Sequence, residues 1–121
     1  MTPEVLWPRY AAVWSLDAQL RQVELDACLA DDATYCDANG FLEGRAALSH
    51  YMSQFQASAP GARFYIRSVL HHHERSLANW SLVGANGDIL QTGTSFGALA
   101  DDGRLRAISG FFYPAGQSET T

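Results

Sequence analysis

From Arg63 onward the sequence is built of strand-like runs divided by tight turns. The runs read RFYIRSVLHHHER, SLANWSLV, ILQTGTSFGALA and RLRAISGFFYP, with GANGD and DDG between the later ones. Gly, Asn and Asp at such short intervals close hairpins, because they tolerate the backbone angles of tight turns. Four strands joined in this way form an antiparallel meander. Such a sheet must bury one face against something else in the chain.

The preceding half supplies helices for that purpose. WPRYAAVWSLD puts Tyr10, Val13 and Trp14 at helical spacing, with Pro8 suited to a first helical turn. Asp17 reads as the N-cap of a second helix, AQLRQVELDACLA, with Leu20, Val23 and Ala27 as its apolar face. The acidic pair Asp31–Asp32 ends that helix; ATYCDA is a short strand and NGFLEG a loop. RAALSHYMSQFQA is a third helix with Leu48, Tyr51, Met52 and Phe55 on one stripe. Helices segregated ahead of an antiparallel sheet give the α+β class. The sheet can curl over the helices and leave a hollow, with Gly93, Gly97 and Gly110 allowing bulges and bends. No internal linker or repeat divides the chain, so residues 1–121 are expected to be a single domain, with 114–121 as a frayed tail.

Charge and motif content exclude several functions. The 121 residues carry a formal net charge of −5 with no basic cluster, so neither nucleic acid nor an anionic membrane is an expected partner. No apolar run approaches a membrane span and no signal-peptide pattern opens the chain, so a cytoplasmic location is expected. Cys28 and Cys36, eight apart on a helix and a strand, are expected to be reduced, buried thiols. In HHHE, successive strand residues alternate faces, so the three histidines cannot converge and no metal site is expected. The chain has no Gly-rich phosphate loop and no G-x-S-x-G elbow, and no cofactor is expected.

Asp37 is the residue with two readings. It precedes Ala-Asn-Gly, where an aspartate commonly caps a turn. It also shares a strand face with Tyr35, while Thr34 and Cys36 take the other. If Tyr35 faces inward, so does Asp37, and a carboxylate in an apolar pocket is a stronger base than one in water. Phe64, Ile66, Leu70 and His72 share a face of the next strand by the same parity, which makes His72 the inward histidine. A neutral imidazole near Asp37 would serve as acid, base or hydrogen-bond partner.

The chain resembles the NTF2-like superfamily, and within it the SnoaL-like and ketosteroid-isomerase-like proteins, from about Tyr10 to Phe112. ADDATYCD resembles the isomerases' approach to the catalytic base, RYAAVW their first-helix tyrosine motif, and EGRAALSHYM the Gly-led third helix. Pro60-Gly61 with Phe64, Arg75 with Trp80, and Asp102-Gly103-Arg104 resemble SnoaL-like landmarks. The resemblance implies a cone: three N-terminal helices packed in a curved, mostly antiparallel sheet that encloses a pocket, in a homodimer formed through the sheet. It implies Asp37 as proton shuttle and Tyr10 as donor to a developing oxyanion. The isomerases' second oxyanion acid falls on Ser95, a shorter and weaker donor, which departs from steroid isomerisation. In the scytalone-dehydratase-like enzymes of this fold, histidine, aspartate and tyrosine act together.

The resulting expectation is a cofactor-free enzyme of isomerase, cyclase or dehydratase type on a small apolar, carbonyl-bearing molecule. Asp37 is its general acid/base, with Tyr10 or His72 as donor. Trp14, Tyr35, Tyr51, Phe55, Trp80, Ser95, Ile108 and Phe112 line its pocket. The alternative is a non-catalytic ligand-binding or dimerisation module of the same fold.

Overall fold

The structure is a computed structural model and describes residues 1–113. The expected tail at 114–121 lies outside the described residues. Three helices, α1 (Pro3–Val13), α2 (Ala18–Cys28) and α3 (Arg45–Ser58), pack against one six-stranded sheet. Its strands are β1 (Leu29–Asp37), β2 (Gly40–Glu43), β3 (Arg63–His72), β4 (Arg75–Val83), β5 (Ile89–Leu99) and β6 (Leu105–Phe112). They lie in the order β2-β1-β6-β5-β4-β3. The β3–β6 meander is antiparallel throughout, and β1 joins it parallel to β6. The sheet is curved, mixed and unclosed.

α1 starts earlier than its sequence suggests. Pro3 occupies the first turn, and Pro8 sits inside the helix, where it removes one backbone donor. Packing of a wide apolar stripe compensates: Leu6, Trp7, Tyr10, Val13 and Trp14 are all buried. The indole N–H of Trp7 donates to Ser76 Oγ at 2.7 Å, fixing α1 to β4. Gly97 makes this approach possible, since a Cβ there would come within 2.8 Å of the Trp7 ring.

α2 is capped by Asp17, whose side chain accepts from the Leu20 amide at 3.0 Å. Its buried face differs from the expected one. Leu20 and Val23 are exposed, while Arg21, Leu25 and Cys28 are buried. Arg21 donates to Leu16 O, Ser49 O, Ser49 Oγ and Ser53 Oγ, so a cation clamps α2 to α3 through neutral oxygens. Asp31 and Asp32 do not end the helix. They are exposed members of β1, paired with Arg45 and Arg106. The expected loop after Asp37 is the short strand β2, hairpinned onto β1.

Candidate functional site

A cavity of about 510 Å³ lies between the inner sheet face and helices α1 and α3. Its wall is aromatic. Trp14 sits at the centre, with ring centroids of Tyr35, Tyr51, Phe55 and Phe64 at 5.8, 5.9, 5.4 and 5.4 Å. Phe64 continues the wall to Trp80 at 5.2 Å, and Trp80 to Phe112 at 6.1 Å. The floor is small by comparison. Gly110 pairs with Ser95 across the sheet, and both line the cavity. Gly93 opens space beside them for the Trp80 ring.

Asp37 ends β1 on this inner face, and both readings of it hold at once. Oδ1 accepts the amide of Asn39 at 2.8 Å, which is the turn-capping bond. Oδ2 accepts the hydroxyls of Tyr35 at 2.7 Å and Tyr51 at 2.9 Å, and the side chain lines the cavity. A carboxylate offers about four acceptor sites, two per oxygen. Three are filled by protein, so the one left uncommitted is on Oδ1. Burial pushes the phenols of Tyr35 and Tyr51 upward, and the Asp37 charge adds to this, so both remain donors at neutral pH.

Tyr10 lines the same cavity from α1. Its hydroxyl is buried and has no hydrogen-bond partner among the described residues. Burial holds this phenol protonated, well above the ordinary tyrosine range. An unpaired buried hydroxyl costs about 1–3 kcal/mol, which a bound acceptor would recover. Ser95 accepts the Trp80 indole N–H at 3.1 Å, which leaves its own proton to donate.

The sequence places the other residues less evenly. Trp14, Tyr35, Tyr51, Phe55, Trp80, Ser95 and Phe112 all line the cavity. Ile108 does not. It is 1% exposed and packed in the core among Tyr35, Leu105 and Ala33. His72 is also absent from the lining, because the strand parity behind its assignment breaks. The β3–β4 register runs Ile66↔Trp80 and then Ser68↔Asn79, so Arg67 is an extra residue. This bulge turns Val69 inward and leaves Leu70 and His72 exposed. His72 ends at the hairpin tip with its Nδ1 3.1 Å from that of His73. His71 takes the helix side instead and meets Glu4 at 2.8 Å.

Sequence reasoning missed Asn39, which holds Asp37 through its amide and approaches the Tyr51 hydroxyl at 3.4 Å through its side chain. The DANG turn was the available signal. Trp7, Gln54 and Gln91 also line the cavity and carried no distinguishing pattern.

The SnoaL-like domain model matches residues 9–108. A SnoaL-like family protein from Agrobacterium tumefaciens, provisionally named an isomerase, is 23% identical with a TM-score of 0.85, over 92% of this chain and 97% of that one. A Sinorhizobium meliloti protein, provisionally named a polyketide cyclase, is 17% identical with a TM-score of 0.70, over 88% and 93%. A Catenulispora acidiphila protein of ketosteroid-isomerase-like fold, in complex with trimethylamine, is 16% identical with a TM-score of 0.73, over 95% and 88%. At these identities the likeness concerns the fold. A search of curated proteins finds no match.

Proposed function

The chain belongs to the SnoaL-like domain family, and from that premise we propose that it is a cofactor-independent enzyme moving protons on a small, apolar, carbonyl-bearing molecule. The observation that carries this reading is Asp37: a carboxylate lining an aromatic cavity, fixed by three donors, with one acceptor site left on Oδ1. In the proposed reaction Oδ1 takes a proton from the carbon beside the carbonyl. The electron pair moves onto the carbonyl oxygen. The unpaired Tyr10 hydroxyl donates to that oxygen as charge develops, and Ser95 is the second donor within the lining. Return of the proton from Asp37 to another carbon gives isomerisation. Attack of the enolate carbon on a second carbonyl, whose oxygen takes that proton, gives cyclisation. Loss of a neighbouring hydroxyl, which takes the proton and leaves as water, gives dehydration. The provisional isomerase and cyclase names of the structural neighbours support this class. The trimethylamine of the Catenulispora structure supports a small-molecule pocket and adds amines to the compounds worth testing.

The test is carbon-proton exchange in D2O, followed by NMR over a panel of steroid, terpenoid and aromatic polyketide ketones. The reading expects the protein to accelerate exchange of the protons beside the carbonyl for at least one member. If panel members bind and none exchanges faster than in buffer, the second reading takes its place, a non-catalytic ligand-binding module. Ser95 favours that alternative, since a hydroxyl stabilises an oxyanion less than a carboxylic acid does.

The outer sheet face supports a further part of the proposal, a homodimer. Phe41, Cys36, Ser109, Phe96, Leu77 and Leu70 form one row across it, with Phe111 exposed beside them. Light scattering is expected to give twice the chain mass, and Phe111→Glu to shift it toward one chain.

A further inference from the structure

The cavity has an electrostatic asymmetry that its aromatic wall makes selective. Among the described residues Asp37 is the one formally charged side chain in the lining, and no arginine or histidine joins it. The chain contains no lysine at all. No cationic side chain pairs with Asp37 among the described residues, although Asp26, Asp31, Asp32 and Asp102 each find an arginine. The protein therefore offers a carboxylate next to a low-dielectric space and brings only neutral donors to it. Those donors, Tyr35, Tyr51 and Asn39, already fill most of its acceptor sites.

Around this carboxylate stand rings. Tyr35 and Tyr51 touch Asp37 through their hydroxyls and Trp14 through their edges and faces. Aromatic faces carry negative quadrupole density and attract cations, most strongly for tryptophan. A quaternary ammonium needs no hydrogen bond. It needs an anion near van der Waals contact and polarisable rings on its other sides. Both lie in one cavity here, and no cationic side chain stands in the lining among the described residues.

We infer that the cavity binds an organic cation, an alkylated ammonium seated against the Trp14 wall with Asp37 as its counterion. The inference rests on the cavity being the ligand site, as in the proposed function, but not on Asp37 transferring a proton. The chain's net charge of −5 adds a weaker attraction in the same direction.

The test compares choline with 3,3-dimethyl-1-butanol, its neutral isostere, by titration calorimetry on the full chain. Choline is expected to bind at least tenfold tighter, and to shift the indole N–H signal of Trp14 in the NMR spectrum. In Asp37→Asn the advantage over the isostere is expected to fall below threefold. Equal affinity for the two, binding of neither, or choline binding without a Trp14 shift would each overturn the inference. None of these outcomes depends on Asp37→Asn remaining folded. Nor do they touch the proton-exchange test, whose failure would remove the proposed reaction and leave the cation site standing.

Discussion

Tyr51 and Asp37, on α3 and β1, meet at 2.9 Å, with the tyrosine hydroxyl donating to the carboxylate. This bond ties a helix to a strand end in the cavity lining. It also brings Tyr51 onto the same oxygen that Tyr35 uses from the strand itself. The carboxylate's position is thus set by two elements rather than by one rotamer.

Removing the Tyr51 hydroxyl isolates that bond, because Phe keeps the ring contact with Trp14. Tyr51→Phe is expected to lower unfolding free energy by about 1 kcal/mol, below the usual range of about 1.5–3 kcal/mol for a bond to a charged group because the site is only part-buried. Urea titration measures it. An unchanged midpoint would mean the hydroxyl is not held by Asp37.

Two glycines on the inner sheet face should respond oppositely to the same change. An added Cβ at Gly93 would strike the Trp80 ring and lie 2.6 Å from Phe111 O, against backbone that cannot yield. Gly93→Ala is expected to cost about 2 kcal/mol or more, as overpacking does. At Gly110 the nearest atom is the Tyr35 hydroxyl oxygen at 3.5 Å, an ordinary contact. Gly110→Ala is expected to keep or gain stability while weakening ligand binding, since the methyl enters the floor between Asp37 and Ser95. Thermal unfolding and a ligand titration on both variants distinguish the two.

Alkaline stability should report the buried phenols. Burial, with Tyr10 and Asp37 adding to it, raises the Tyr35 phenol, and Tyr10 and Tyr51 move the same way. Burial also pushes the Cys28 thiol up to about 11. Above the unfolded values the unfolded chain releases protons that the folded chain keeps. The folded state then binds more protons, so stability falls as pH rises. The stabilisation is complete below the ordinary thiol and phenol values and is lost above them. Tyr35→Phe should reduce the slope above pH ~10 by up to about 1.4 kcal/mol per pH unit. Urea unfolding between neutral and strongly alkaline pH measures it, and a slope identical to wild type would contradict it.

The class of fold was legible because its signals are local. Hairpin turns at Gly84–Asp88 and Asp101–Gly103, the Asp17 cap and the third-helix stripe each lie within a few residues. The parallel pairing of β1 with β6 joins strands about seventy residues apart, and no local pattern encodes it. Arg21 misled for a related reason. A cation in the apolar stripe reads as the polar face, unless the serines at Ser49 and Ser53, one turn apart on α3, are seen as its acceptors.

Within the site, parity succeeded where the strand was regular and failed where it was not. Tyr35 and Asp37 face inward together, as alternation requires. His72 lost its place to the bulge at Arg67. The spacing of Phe64, Ile66 and Val69, two and then three residues, holds that bulge in plain sight, since alternation should have brought an apolar residue at 68. Ile108 shows the limit of a face assignment. It lies on the same face of β6 as Gly110, but is buried in the core cluster that holds Tyr35 and Leu105 and does not reach the cavity lining.

Asp37→Asn tests the role of the carboxylate most directly, because the amide keeps its size and can still accept the Tyr35 and Tyr51 hydroxyls while losing its basicity. The measurement is kcat/KM for the panel ketone that exchanges fastest, together with the urea midpoint. The expected result is a loss of roughly a thousandfold or more, in the range general-base catalysis supplies, in a protein that still folds. A rate within threefold of wild type in a folded variant would contradict the role assigned to Asp37.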